Sequence, residues 1–126
     1  MRTIFVRYCP RNALFVMKNE CGRIIAAISI DKDEEVDALP CWSGELKPSA
    51  EFSRLCVSRD MQNKGIAKQM IGYVFEILRK KGKRSVHILV REGHSAALAL
   101  YSAVGFGTVG ECTMFGKKFV CMEIEL

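Results

Sequence analysis

The apolar residues of this 126-residue chain recur with two different periods, and the change of period separates strands from helices. Short β-rich runs at residues 13–17 and 23–30 flank a polar segment that holds Gly22, which predicts a hairpin. Residues 31–49 are first acidic and then rich in turn-forming residues, which indicates a surface excursion. A further strand is predicted at residues 51–57.

From Gly65 onward, apolar residues recur every three or four positions, which predicts an amphipathic helix. The basic residues Arg79, Lys80 and Lys81 suit the negative end of its dipole, and Gly82 suits its C-terminal cap. We interpret this basic cluster as a solvated helix face and not as a nucleic-acid patch. The apolar positions are Ile66, Ala67, Met70, Ile71, Val74, Phe75 and Leu78.

The remainder of the chain is predicted to form a strand at 86–91, a short helix at 95–104 that stops at Gly105, and strands at 106–112 and 117–125. A strand, a helix and a strand between residues 51 and 91 imply a right-handed parallel crossover, whereas the flanking hairpins imply antiparallel pairs. The expected fold class is α/β: a mixed, mostly antiparallel sheet with a central parallel strand–helix–strand crossover and helices on its faces.

Composition places the chain among compact globular proteins, with 49% apolar and 26% charged residues. Without a linker or repeat, residues 1–126 are expected to form a single domain. The apolar runs are too short to span a membrane, and the first residues lack the apolar stretch of a signal peptide. A net charge of +5 favours an anionic partner.

The six cysteines contain no C-x-x-C pair, and the two histidines share no ligand spacing with them, so no metal site is predicted. Thiols in apolar segments are typical of reduced, packed cysteines, which suggests a cytoplasmic protein.

The segment from Ser58 to Ala67 joins a strand to the predicted helix and carries the clearest chemical signal. A glycine turn at a helix start leaves several N–H groups directed at one place, where the helix dipole favours a phosphate. Gly65 allows the backbone to approach an anion, while Lys64 and Lys68 add positive charge. Neither a Walker loop nor a dinucleotide G-x-G-x-x-G motif is present.

Two motifs resemble the GCN5-related N-acetyltransferase (GNAT) family. Gln62-x-x-Gly65-x-Ala67, after Leu55-Cys56-Val57, is similar to the family's pyrophosphate loop. The segment from Val90 to Phe106 resembles its N-x-x-A-x-x-L-Y-x-x-x-G-F pattern, although His94 stands where asparagine is more usual. The resemblance implies transfer of an acetyl group from acetyl-CoA to a primary amine by direct attack, with CoA as product.

The resemblance also implies where the cofactor binds. The pyrophosphate is expected on the amides of 63–68, and the pantetheine arm between splayed strands at 55–57 and 88–90 and along one face of the second helix. The implied cofactor-binding residues are Leu55, Cys56, Val57, Gln62, Asn63, Lys64, Gly65, Ile66, Ala67, Lys68, His94, Ala97 and Tyr101.

Two catalytic residues are implied. Tyr101 would protonate the departing thiolate, and Glu51 would deprotonate the amine through water. A glutamate at a strand entrance is equally consistent with an exposed, solvated charge. His87, inside an apolar run, is interpreted as a packed histidine with satisfied hydrogen bonds.

The family usually carries a strand and one or two helices before the first hairpin, whereas only 12 residues precede it here. The N-terminal elements are therefore predicted to be shortened, leaving the acceptor side open, completed by a second copy in a homodimer, or lost. The alternative function is a truncated, catalytically silent CoA-binding module. Neither nucleic acid nor a membrane is an expected partner.

The acceptor itself stays open among a protein N-terminus, lysine, a polyamine, an amino acid and an aminoglycoside. The acidic residues of the excursion could attract a cationic one. They are Asp31, Asp33, Glu34, Glu35 and Asp37.

Overall fold

The computed structural model describes residues 3–8 and 13–126, and for residues 3 and 5–8 it describes the backbone alone. Within these ranges no helix is long and apolar enough to cross a membrane. The elements in chain order are β1 (Thr3–Tyr8), β2 (Ala13–Lys18), β3 (Ile24–Asp31), α1 (Glu34–Asp37), β4 (Ser49–Val57), α2 (Ile66–Lys80), β5 (Ser85–Arg91), α3 (Ser95–Val104), β6 (Gly107–Met114) and β7 (Lys117–Glu125), with 3₁₀ turns at Gly44–Leu46 and Arg59–Met61.

The strands form one sheet in the order β1-β2-β3-β4-β5-β7-β6. Only β4 and β5 pair in parallel, and every other neighbouring pair is antiparallel. Helix α2 makes the crossover between the two parallel strands, as a right-handed βαβ unit requires. This architecture confirms the predicted mixed sheet.

Strand β1 was missed by the sequence analysis. It pairs with β2 along its whole length, from Thr3 opposite Lys18 to Tyr8 opposite Ala13, and four residues separate the two strands in the sequence. The predicted element order, which began with the hairpin of β2 and β3, is therefore wrong by one strand. The reason is that β1 is an edge strand with a single neighbour, so its short apolar run lacks the clear alternation of a half-buried strand.

The core lies between α2 and one face of the sheet. On β4, Phe52 points to this side, where its ring lies 5.8 Å from that of Phe75 and 6.2 Å from that of Phe106. Because side chains alternate along a strand, Glu51 points to the opposite face. His87 lies directly beside Glu51 in the parallel register and shares that face.

The segment between β3 and β4 covers this opposite face. The Trp42 indole N–H donates to the carbonyl of Val36 at 2.7 Å, and the Ser43 amide donates to the Glu123 carboxylate on β7. The Ser85 hydroxyl donates to the carbonyl of Leu46 at 2.7 Å. These bonds hold the segment against β5 and β7, so the predicted excursion is anchored on the sheet.

The cysteine prediction is only partly correct. All five described cysteines are free, and Cys121 is buried, but Cys21 and Cys56 are exposed. Cys9 lies outside the described residues. Exposure of Cys56 follows from strand alternation, because its neighbours Leu55 and Val57 point to the other side.

Candidate active site

Strands β4 and β5 diverge soon after they begin. Their parallel pairing covers only Ser49 to Glu51 against Ser85 to His87, and the rest of each strand has no partner across this gap. A cleft of about 550 Å³ lies beside the unpaired part of β4, the start of α2 and α3 as far as Tyr101. Backbone N–H and C=O groups on the inner edge of β4 are thus available to a ligand.

The loop before α2 presents the first amides of that helix to the cleft. Asn63 and Gly65 both have left-handed backbone conformations, with φ of 60 and 78. The Gln62 side chain holds the loop by donating to the carbonyl of Val57 at 3.1 Å. Among the residues that the structure describes, no side chain caps α2 and no acidic residue lies in its first turn, whereas Asp33 caps α1 and His94 caps α3. The uncapped amides form a site for an anion.

Eleven of the thirteen predicted cofactor residues line this cleft, and the other two, Cys56 and Lys64, do not. The Cys56 side chain faces away, while Lys64 is exposed outside the lining. Sequence reasoning missed Met61, Ala96 and Leu100, which also line it. Ala96 and Leu100 are one helical turn apart, and the spacing of Ala97 and Tyr101 could have pointed to them.

Tyr101 lines the cleft from α3, with only 5% of its surface exposed. Its ring packs edge-on against Phe106 at 5.4 Å. Burial raises the pKa of Tyr101 to about 12, so the phenol stays protonated at neutral pH. Within the described part of the chain its hydroxyl has no hydrogen-bond partner, which leaves it available to a ligand.

His94 begins α3 as its cap. Its Nδ1 accepts a hydrogen bond from the Ala97 amide at 3.3 Å. The capping bond identifies Nδ1 as the unprotonated nitrogen, so Nε2 carries the proton and is the ring's hydrogen-bond donor. His94 therefore both caps α3 and lines the cleft.

Glu51 and His87 differ from their predicted environments. Glu51 is only 8% exposed, so the solvated-charge interpretation is wrong. His87 is fully buried, as predicted, but neither of its ring nitrogens has a hydrogen-bond partner among the described residues. Its Nε2 lies 3.0 Å from Asp37 Oδ1 and 3.8 Å from Glu51 Oε1. The Trp42 ring stacks on the imidazole with 4.4 Å between centroids.

Two further cavities meet at Glu51. One, of about 460 Å³, is lined by Asp31, Asp33 and Glu51 together with Arg54 and the aromatic Phe115 and Phe119, among others. The second, of about 710 Å³, extends past His87 and Trp42. Both this acidic cavity and the cleft have lining residues on β4, Glu51 in the cavity and Leu55 in the cleft.

An exposed ion pair between Arg23 and Asp60, called the brace below, links the loop before α2 to the hairpin of β2 and β3. The guanidinium of Arg23 contacts Asp60 Oδ2 at 2.6 Å, and the Ser58 hydroxyl donates to Asp60 Oδ1 at 2.6 Å. These bonds, Arg23 first, lower the pKa of Asp60 to about 2.

Replacing Asp60 with asparagine is expected to weaken CoA binding, because the brace holds the loop before α2 in place. The loss should be only a few-fold, since the brace is exposed and exposed ion pairs contribute little. Because the folded pKa is depressed, the carboxylate stabilises the protein above about pH 4, and this contribution disappears as the pH falls towards 2. Calorimetric titration and acid unfolding of wild type and D60N check both effects. If the wild type and D60N unfold with the same dependence on pH in acid, the brace does not stabilise the protein.

A model of the acetyltransferase (GNAT) family matches residues 2–106. An acetyltransferase of Pectobacterium atrosepticum, ECA0875, is 30% identical over 66 residues, which are 52% of this chain and 46% of that protein. The match thus spans about half the length of that relative.

Solved structures share the fold. An IAA acetyltransferase from Bacillus cereus has a TM-score of 0.74 at 16% identity, with both chains covered completely. A GNAT family acetyltransferase from Elizabethkingia anophelis with acetyl-CoA bound has a TM-score of 0.75 at 15% identity, covering 99% of this chain and 98% of that one. The ribosomal-protein-S18-alanine N-acetyltransferase of Escherichia coli has a TM-score of 0.74 at 17% identity, covering 99% and 94%.

Proposed function

Because this chain belongs to the GNAT family of acetyltransferases, we propose that it transfers the acetyl group of acetyl-CoA to a primary amine by direct attack. The observation that carries the proposal is the cleft itself. The amides at the start of α2, which no described side chain caps, line the cleft together with Tyr101 on α3, beside the unpaired edge of β4. A long ligand with a phosphate at one end and a reactive group at the other fits this arrangement.

Acetyl-CoA would bind with its pyrophosphate on the amides of residues 63–68, where the helix dipole and Lys68 favour negative charge. Its pantetheine arm would run between the free edge of β4 and the face of α3 that carries Ala97 and Tyr101. The arm contains amide groups, which can form hydrogen bonds with a strand backbone. They would bond to the backbone groups of β4 that do not pair with β5 where the two strands diverge.

In the proposed reaction the amine nitrogen attacks the thioester carbonyl and the thiolate of CoA leaves. A backbone N–H on β4 would polarise the carbonyl oxygen. With its pKa raised to about 12, against about 8.5 for a thiol, Tyr101 would transfer its proton completely only at a cost of roughly 5 kcal/mol. Its proposed role is therefore a hydrogen bond that stabilises the developing thiolate charge.

Glu51 is the proposed base. An amine acceptor reaches the site as an ammonium ion, and it must lose a proton before its nitrogen can attack. The acidic cavity supplies attraction through Asp31 and Asp33 and a proton acceptor in Glu51, while Phe115 and Phe119 offer aromatic faces to a cation. The proposed acceptors are therefore cationic primary amines.

Turnover of acetyl-CoA with a panel of primary amines, followed by release of free thiol, tests the proposal directly. Release that depends on both substrates is the expected result. Tight CoA binding without thiol release from any amine would instead identify a silent CoA-binding module.

Replacing Glu51 with glutamine is expected to lower kcat about 100-fold while leaving acetyl-CoA affinity unchanged, because the base acts on the amine and not on the cofactor. Steady-state kinetics with a chelator present provide the measurement, and Glu111→Gln, on the exposed part of β6, is the matched control. Equal kcat for the Glu51 and Glu111 variants would exclude Glu51 as the base.

A further inference from the structure

Three side chains with metal-ligating atoms lie close together beside the two cavities that share Glu51. They are Asp37 at the end of α1, Glu51 on β4 and His87 on β5. One ligand atom from each lies within 4.8 Å of the others. From this cluster we propose that the chain binds one divalent transition-metal ion of the Zn²⁺ type through Asp37, Glu51 and His87.

The spacing of the three ligand atoms fits such an ion. Nitrogen and oxygen ligands lie about 2.0–2.2 Å from Zn²⁺ in a tetrahedral site, which places them roughly 3.3–3.5 Å from one another. The two distances from His87 Nε2, 3.0 Å to Asp37 Oδ1 and 3.8 Å to Glu51 Oε1, bracket this separation. Small rotations of the two carboxylates would complete the site.

Unsatisfied polar atoms in the cluster point to the same conclusion. His87 is 1% exposed, and neither its Nε2 nor Glu51 Oε1 has a hydrogen-bond partner within the described residues. The contact of Nε2 with Asp37 at 3.0 Å is close, yet it lacks hydrogen-bond geometry. Atoms that ligate a common ion point at the ion and not at one another, so this arrangement suits a shared cation better than a simple hydrogen bond.

The donor set defines the class of ion. One imidazole nitrogen and two carboxylate oxygens suit Zn²⁺ and Co²⁺, whereas Mg²⁺ and Ca²⁺ prefer oxygen ligands alone. Three protein ligands leave a fourth position for water, as in open zinc sites. Asp31 and Glu123 line the same cavity and add negative charge. Four lysines also line it: Lys32, Lys47 and Lys81 are exposed, and Lys83 is half-buried.

Trp42 fixes the ligand and supplies a reporter. It is the chain's single tryptophan, and its ring stacks on His87 with an interplanar angle of 13°. The stacking restricts rotation of the imidazole, so Nε2 stays directed at the two carboxylates. A paramagnetic ion such as Co²⁺ at Nε2 would quench the fluorescence of this tryptophan.

Occupancy of the site would have one consequence that rests on the proposed function. An ion bound to Glu51 prevents that carboxylate from accepting the proton of the amine. Zn²⁺ is therefore expected to inhibit acetyl transfer without changing the affinity for acetyl-CoA.

The experiment uses the whole, untagged, metal-free chain without cofactor or amine, so its result does not depend on the proposed function. Calorimetric titration with ZnCl₂ is expected to show one ion per chain, and titration with CoCl₂ to quench Trp42 with the same stoichiometry. Asp37→Asn removes a ligand and should weaken Zn²⁺ binding about 100-fold or more. Asp31→Asn, the matched control in the same cavity, should change it by no more than about threefold.

Three results would overturn the proposal. One is the absence of stoichiometric binding to the wild type. Another is equal affinity of wild type and D37N, which would assign the ion to thiols or other groups. The third is an equal loss in D37N and D31N, which would indicate diffuse attraction by the acidic cavity. Circular dichroism verifies folding of each variant, and Glu51→Gln, which preserves side-chain shape, replaces Asp37→Asn if that variant unfolds.

Discussion

Replacing Gly65 with glutamate is expected to weaken binding of CoA by more than about 100-fold, which corresponds to roughly 3 kcal/mol. Gly65 adopts φ of 78 at the start of α2, where no side chain caps the helix. A β-carbon there meets no atom within 4 Å, so a side chain at this position adds backbone strain but no clash, and glutamate places a carboxylate beside the amides proposed to hold the pyrophosphate. Its carboxylate would compete for the amides and repel the phosphates.

The control for this prediction separates charge from backbone strain. Asparagine tolerates the left-handed region better than most residues, as Asn63 already does two positions earlier. Gly65→Asn should therefore lose less than about tenfold in affinity, because it adds bulk and mild strain without negative charge. Calorimetric titration of CoA with both variants provides the measurement. If G65E binds CoA as well as G65N does, the amides of this loop do not hold the phosphates.

Replacing Tyr101 with phenylalanine is expected to lower kcat about 100-fold while KM for acetyl-CoA stays nearly constant. Tyr101 lines the cleft from α3 and not from the loop before α2, so in the proposed complex its hydroxyl acts on the thioester and not on the anchor of the cofactor. A donor that binds the developing thiolate stabilises the transition state more than the bound substrate. Steady-state kinetics under conditions in which chemistry limits the rate make the measurement.

Stability distinguishes this catalytic role from a packing role. Phenylalanine preserves the edge-on contact with Phe106, and the hydroxyl has no partner in the described part of the chain, so Y101F should fold with nearly wild-type stability at neutral pH. Tyr73→Phe, at an exposed position on α2, is the matched control and should keep normal kcat. Normal turnover by Y101F would make Tyr101 a packing residue.

The raised pKa of Tyr101 should also make the stability of the protein depend on pH in the alkaline range. An unfolded tyrosine ionises near pH 10, whereas the folded residue ionises at about 12. The unfolded state therefore releases its proton first, and the stability of the wild type falls as the pH rises from about 10 to 12. Y101F lacks this component, so its unfolding free energy should fall less steeply over that range. Chemical denaturation at several alkaline pH values checks the difference.

The helices and the central crossover could be predicted from the sequence because their signals are local. The apolar period of α2 and the glycines at its ends determine where it begins and ends, and Gly65 and Gly82 both have the positive φ expected at such positions. The second helix was predicted at its observed bounds, Ser95–Val104, because Gly105 ends it with a φ of 120. Strand β1 carried no comparable signal, since its pairing depends on β2 alone.

Most of the lining of the cleft beside β4 could also be predicted from the sequence. The loop before α2 and the face of α3 each come from one continuous segment, so residue spacing alone indicates which side chains lie together. The residue assigned wrongly was Cys56, whose direction depends on the strand, and the lining residues that were missed include Ala96, which neighbours a motif position without belonging to it.

The acidic side of the site was decided by tertiary structure. Asp37, Glu51 and His87 are separated by 14 and 36 residues in the sequence, and no spacing rule connects them. The parallel register places Glu51 beside His87, and the anchored segment between β3 and β4 brings Asp37 and Trp42 over them. Burial of Glu51 follows from that cover and not from its own neighbours. The sequence by itself determines the period of each element and the chemistry of each turn. Distant side chains come into contact only through strand register and loop packing, which form when the whole sheet assembles.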